Sequence, residues 1–168
     1  SFNGTLDQIT GSGYHPCGTA PMGPDRDPLA VTDGRGRVRG VAGLYIAGEL
    51  GGMGLIRKAV EQGRQAMDSI RKGKSGSAPL DVVVVGAGPA GIAASLGALE
   101  HKLKFVTLEQ EDSLGGTVYH YPRNKIVMTA PIQLPILGKV KMSEISKAAL
   151  LGFWQGVVKK TGLKVKFS

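Results

Sequence analysis

The sequence predicts an α/β fold: a parallel sheet with flanking helices. Three observations carry this. Residues 80–85 read LDVVVV, an apolar run without alternation, as expected of a strand covered on both faces. A glycine-rich turn, a helix-compatible stretch and a second apolar strand, LKFVTLE at 103–109, follow in that order. The composition agrees, with 42% hydrophobic but only 5% aromatic residues, and 26 glycines that suit tight turns and close backbone approaches.

Each element follows from local pattern. Residues 1–29 are rich in Gly, Pro and Asp and read as irregular, with GPDRDP at 23–28 a turn cluster. LAVTDGRGRVRGVAGLYIAG, 29–48, reads as strand, turn, strand, turn, strand, and Asp33-Gly34 is a hairpin signal. Residues 53–71 predict a helix. Ile56, Ala59, Val60, Gly63, Ala66, Met67 and Ile70 share one face, and charged and amide side chains take the other. GKSGSAP at 73–79 is a flexible linker. A helix is expected over 89–101, with Ile92, Ala93, Leu96 and Leu99 inward. Residues 111–142, with three prolines, read as mostly irregular. A further helix is expected from Ser143, as N-cap, to about Lys160, and LKVKF at 163–167 as a third strand. A right-handed parallel crossover should join the strands.

Length and charge bound the function. A chain of 168 residues is one ordinary domain, or one with an appendage. The net charge is +8, yet the basic residues are spread along the chain, without the aromatic interleaving of an RNA-binding motif. They read as solvated faces, and no nucleic-acid partner is expected. The single cysteine, Cys17, excludes an internal disulfide or a CxxC pair and fits a reducing, cytoplasmic setting. No apolar run reaches the ~18 residues of a membrane span, so none is expected. His101 and His120 lack ligand spacing, so no metal is expected. The chain opens on Ser1 rather than Met, which suits a fragment or a processed product.

Gly86, Gly88 and Gly91 form GxGxxG directly after a strand and before a helix. Gly86 permits the tight turn, Gly88 lets the backbone approach a pyrophosphate, and Gly91 lets the helix pack against the strand. Pro89 stands in the first helical turn, where a missing N–H costs nothing, and Ala90 completes the anion-facing end. Glu109 closes the second strand 21 residues beyond Gly88, followed by Gln110. A carboxylate there would accept hydrogen bonds from a ribose and repel a 2′-phosphate. Dinucleotide binding is the expectation; the competing reading is a merely structural glycine turn.

Over residues 80–168 the chain resembles a known group. DVVVVGAGPAGIAASLGALE with FVTLEQEDSLGGTV is similar to the FAD-binding opening of the two-dinucleotide-domain flavoprotein reductases, the thioredoxin reductase-like group. YHYPRNKIVMTAPIQLP resembles a branch of single-subunit NAD(P)-linked flavoproteins. The resemblance implies a Rossmann-like domain, FAD as cofactor, and Gly115, Gly116 and Thr117 along the flavin side. The alternative for Gly115-Gly116 is an ordinary loop.

GLYIAGE at 43–49 resembles the closing FAD motif of the same superfamily. That resemblance places Gly48 and Glu49 at the cofactor, the carboxylate toward ribityl hydroxyls and the next helix pointing its N-terminus at the pyrophosphate. The alternative is a capped surface turn. YHPCGTAPMG at 14–23, with residues 30–47, is similar to the C-terminal signature of the glucose–methanol–choline oxidoreductases. In that family the matching histidine is the catalytic base, which here is His15. The chain then departs from the family, since no second active-site residue follows the GLYIA segment. The competing reading of His15 is a loop histidine satisfied by backbone.

A closing motif thus precedes an opening one. The organisation expected is an irregular and hairpin segment at 1–40, a closing strand–turn–helix at 41–72, the linker at 73–79, and an opening Rossmann half at 80–168. Two arrangements accommodate this. Either two incomplete domains meet in the chain, or the closing unit folds back onto the opening sheet as a circularly permuted domain with strand order near 3-2-1-C. The second is preferred because it covers exposed strand faces. The function expected is the FAD-binding part of a flavin-dependent oxidoreductase, with NAD(P)H as co-substrate or an alcohol-type small-molecule donor. The alternative is a non-catalytic dinucleotide-binding fragment that works with the remainder of a larger flavoprotein.

Overall fold

The computed structural model describes residues 20–51, 55–73, 78–122, 124–127, 130–142 and 144–168. Three parallel strands form the main sheet: β1 (Val82–Val85), β2 (Phe105–Glu109) and β5 (Val165–Phe167), in the order β1-β2-β5. Val82 stands beside Phe105 and Val85 beside Leu108, and Thr107 stands beside Val165. Helix α1 (Ile56–Ile70) precedes the sheet in sequence, α2 (Pro89–Glu100) connects β1 to β2, and α3 (Lys147–Thr161) leads into β5. A two-stranded antiparallel hairpin, β3 (Ile132–Leu134) and β4 (Gly138–Val140), stands apart from the main sheet.

Helix α1 forms where the apolar period predicts and buries Ile56, Ala59, Val60, Gly63, Ala66 and Met67. It packs on α2 with the helix backbones almost touching. A Cβ added at Gly63 would lie 2.1 Å from the Ala90 carbonyl oxygen, and one at Gly97 would lie 3.0 Å from Met67 Cβ. Small residues at such a crossing let two helices approach more closely than ordinary side chains allow. His101, just past the end of α2, reaches Asp68 of α1 at 3.2 Å and ties the far ends of the pair. The closing helix therefore docks on the opening half of the fold.

Two hydrophobic clusters lie on either side of α2. One gathers Met67, Val84, Ala94 and Ala98 between the helices and the sheet. The other packs Ile92 and Leu96 against Val118, Ile132, Leu134, Leu150 and the fully buried Trp154. Between helix and sheet, the Ser95 hydroxyl meets Gly91 O and Thr107 Oγ1, each at 2.7 Å. A buried polar pair of this kind is tolerated because both members are satisfied.

Four sequence expectations differ from the structure. Segment 43–47 is not a sheet strand. Its hydrogen bonds go upstream instead: Val38 N–H donates to Leu44 O at 2.9 Å and Ile46 N–H to Gly36 O at 2.8 Å. The segment flanks β1 without pairing to it, across a cavity of about 540 Å³ lined by both. Second, β1 is covered on one face only, with Val84 buried while Val83 and Val85 are 53% and 82% exposed. Third, α3 starts later than Ser143, which lies outside the described residues. Extended pairing of Ser146 with Ile126 holds the chain open until Ser146, whose Oγ accepts the Ala149 N–H at 3.2 Å as N-cap. Fourth, the stretch read as irregular contains the β3–β4 hairpin and a 3-10 turn, Gly116–His120.

Gly63→Ala tests the helix crossing. Alanine is normally better than glycine inside a helix by roughly 1 kcal/mol. Here the added methyl has no room, and a net loss of about 1–3 kcal/mol is expected from overpacking. Urea denaturation measures it, and a stabilised variant would show that α1 is not seated this closely.

Candidate dinucleotide site

The turn between β1 and α2 is built by its glycines. Gly86 takes φ +98°, in the left-handed region, and its N–H donates to Leu108 O at 2.8 Å. A Cβ at Gly91 would lie 1.8 Å from Gly86 O, so only glycine fits there. Gly88 is the N-cap of α2 and Pro89 its first residue, with no side chain capping the helix. The Ala90 and Gly91 N–H groups therefore have no acceptor within the helix and face outward with its partial positive charge.

Three other segments converge on this helix end. The first is Glu109, 7% exposed, at the end of β2. Its Oε2 accepts the Ala87 N–H at 2.5 Å and its Oε1 the Glu111 N–H at 3.1 Å. A carboxylate has about four acceptor positions, so two remain for further donors. Gln110, beside it, is exposed, and its carbonyl accepts the Ser168 hydroxyl.

The second segment is Gly115–Thr117. Gly115 N–H donates to Ala87 O at 3.0 Å. Gly115 and Gly116 both have positive φ, +117° and +52°, and a Cβ at Gly116 would lie 3.2 Å from Gly88 Cα. These glycines form a bare backbone wall facing the turn, and Thr117 is exposed on the 3-10 turn that follows.

The third is the acidic turn of the closing segment. Gly48 has φ +92°, and a Cβ there would lie 3.2 Å from Ala90 Cβ. Its N–H donates to Gln62 Oε1 at 2.8 Å, which anchors the turn to α1. Glu49 opens a 3-10 turn, Glu49–Gly51, and its Oε1 accepts the Tyr121 hydroxyl at 3.3 Å. Gly48 and Glu49, far from Gly88 in sequence, thus sit at the same helix end. His15 lies outside the described residues.

Sequence reasoning missed Gln62 and Tyr121. Gln62 lies on the polar face of an amphipathic helix, where an amide reads as solvated. Tyr121 stands in a stretch read as loop. The resulting cradle is made of two outward amides, positive-φ glycines and two carboxylates. Such a donor set fits the diphosphate and hydroxyl groups of a dinucleotide.

Tyr121 holds its proton above the usual tyrosine range because it is partly buried and because the Glu49 carboxylate opposes a second negative charge. Folding stability is therefore unaffected by this phenol's ionisation below the unfolded value near pH 10 and falls as pH rises through the higher folded value. Glu49→Gln is expected to lower the midpoint of this tyrosine. Tyrosinate absorbance in an alkaline titration, compared with Tyr121→Phe, reads it; an unmoved midpoint would mean the carboxylate does not face the phenol.

Comparison with known proteins adds the family context. Residues 3–49 match the GMC oxidoreductase family in its C-terminal region, and residues 81–160 match the FAD dependent oxidoreductase family. The oxygen-dependent choline dehydrogenase of Rhizobium meliloti is 51% identical over 46 residues, 27% of this chain and 8% of that protein. The corresponding protein of Rhizobium etli is 58% identical over 36 residues, 21% of this chain and 7% of that one. The chain thus spans less than a tenth of the length of these relatives. Among solved structures, the bacillithiol disulfide reductase of Staphylococcus aureus aligns with TM-score 0.45 and 20% identity, covering 51% of this chain and 27% of that one. No helix among the described residues is long and apolar enough to cross a membrane. The chain is therefore similar to the GMC oxidoreductase family over residues 3–49 and to the FAD dependent oxidoreductase family over residues 81–160.

Proposed function

We propose that the chain binds FAD at the N-terminus of α2 and serves a flavin-dependent oxidoreductase. The observation that carries this reading is the convergence of the two motifs: Gly48 packs on Ala90 while Gly116 packs on Gly88. The Ala90 and Gly91 N–H groups would hold the diphosphate. Glu109 would accept from the adenosine ribose, with Gln110 at its rim, and its negative charge disfavours a 2′-phosphate. The Gly115–Gly116 backbone and Thr117 would flank the flavin side, and Glu49 would accept from ribityl hydroxyls.

Bound FAD supplies the hydride chemistry, taking two electrons from a donor and passing them on. The donor is a nicotinamide cofactor or an alcohol. The opening segment favours an alcohol, since the relatives it matches are choline dehydrogenases. His15 would then take the alcohol proton as the base, being an imidazole that titrates near neutral pH. A cytoplasmic setting fits the lone Cys17.

The purified chain is expected to carry flavin absorbance or to gain it with added FAD. At a hundredfold excess over Kd, FAD should stabilise the fold by about 2.7 kcal/mol. Gly88→Val, whose branched side chain would point at Gly115 and Gly116, is expected to abolish binding while the fold persists by circular dichroism. Thermal unfolding indifferent to FAD would sink the proposal. Bleaching of the bound flavin by NADH, NADPH or choline distinguishes the donors.

A further inference from the structure

We propose that Tyr121 is a positioning residue that aims the Glu49 carboxylate at the cofactor. The role rests on the reading that Glu49 faces the ribityl chain. The phenol is a fixed donor. Its backbone N–H donates to Val118 O at 3.2 Å and its carbonyl accepts Lys147 Nζ at 2.6 Å. Lys125 Nζ stands 4.1 Å from the centre of the ring and clamps its face. A ring held at its backbone and on its face swings little, so its one hydroxyl proton has a set direction.

That proton goes to Glu49 Oε1 at 3.3 Å, across 72 positions of sequence. An ionised carboxylate only accepts, so the phenol restrains one oxygen and leaves Oε2 for a ligand hydroxyl. Tyr121 also ends the 3-10 turn that starts at Gly116. The direction of Glu49 is thereby referred to the Gly115–Gly116 wall, on the opening half, although Glu49 itself belongs to the closing half. Within the candidate site, this is the only side-chain hydrogen bond among the described residues that joins the acidic turn to that wall.

The test uses the full chain and three variants: Tyr121→Phe, Glu49→Gln and the double variant. FAD affinity is read by quenching of flavin fluorescence, and the thermal midpoint is read without FAD. Tyr121→Phe is expected to weaken FAD binding about fivefold, and Glu49→Gln about tenfold, in keeping with the modest net worth of a single hydrogen bond. The double variant should bind about as weakly as Glu49→Gln, because the phenol acts only through the carboxylate. The FAD-free midpoint of Tyr121→Phe should stay near that of the parent chain, whereas a purely structural tyrosine would lower it and leave FAD affinity in the surviving fold unchanged. Multiplying effects in the double variant, or unchanged affinity in Tyr121→Phe, overturn the role while the site stands. Should Tyr121→Phe fail to fold, Lys125→Met, which frees the ring face, is expected to weaken FAD binding in the parent but not in Glu49→Gln; equal weakening in both overturns the role. No FAD binding by the parent chain overturns the site itself, and the role with it.

Discussion

The fold depends on how closely α1 lies against α2. With Gly63 facing the Ala90 carbonyl, there is no room for even one methyl group between the two backbones. That approach places the turn before α1 against the first residues of α2. Gly48 then meets Ala90, Gln62 holds the Gly48 amide, and Glu49 comes within reach of Tyr121. Were the helices an ordinary side chain's width apart, the acidic turn and the glycine turn would belong to separate surfaces. One steric allowance in a helix thus sets the geometry of a polar site several residues away.

The candidate site is mainly a backbone construction. Outward amides at Ala90 and Gly91, the reversed φ of Gly86, Gly115 and Gly116, and the amide-bonded Glu109 need little from side chains except their absence. Glu109 does two things at once. It ties the end of β2 to Ala87 in the turn and to Glu111 in the loop beyond, and it keeps acceptor capacity free. Two carboxylates near this helix N-terminus are compatible with an anionic ligand because each would address sugar-type hydroxyls, with the helix end meeting the negative charge.

Much of this was legible in the sequence because its determinants are local. The amphipathic face of α1 and the glycine turn are set by spacing of a few residues, and both appear where the spacing puts them. The fate of GLYIA was not legible. The segment has the composition of a strand, but its partner is a choice between β1 and the upstream residues Gly36–Val38, and nearness in sequence favours the latter. Ser143 and Ser146 are equally good caps by composition, and the pairing of Ser146 with Ile126, a contact 20 residues back, decides between them. Gln62 and Tyr121 acquire their roles only from the helix crossing, which periodicity alone does not disclose.

The gap left between GLYIA and β1 has a consequence for how copies of the chain behave toward one another. Among the described residues β1 pairs only with β2, so its outer backbone groups have no sheet partner, and Val83 and Val85 show apolar surface beside them. An unpaired, β-branched edge is a template on which extended chain can add. What opposes such addition is the net charge of +8, which makes copies repel at low ionic strength and much less in salt. The open edge of β1 is thus a place where local attraction between copies works against the charge of the whole.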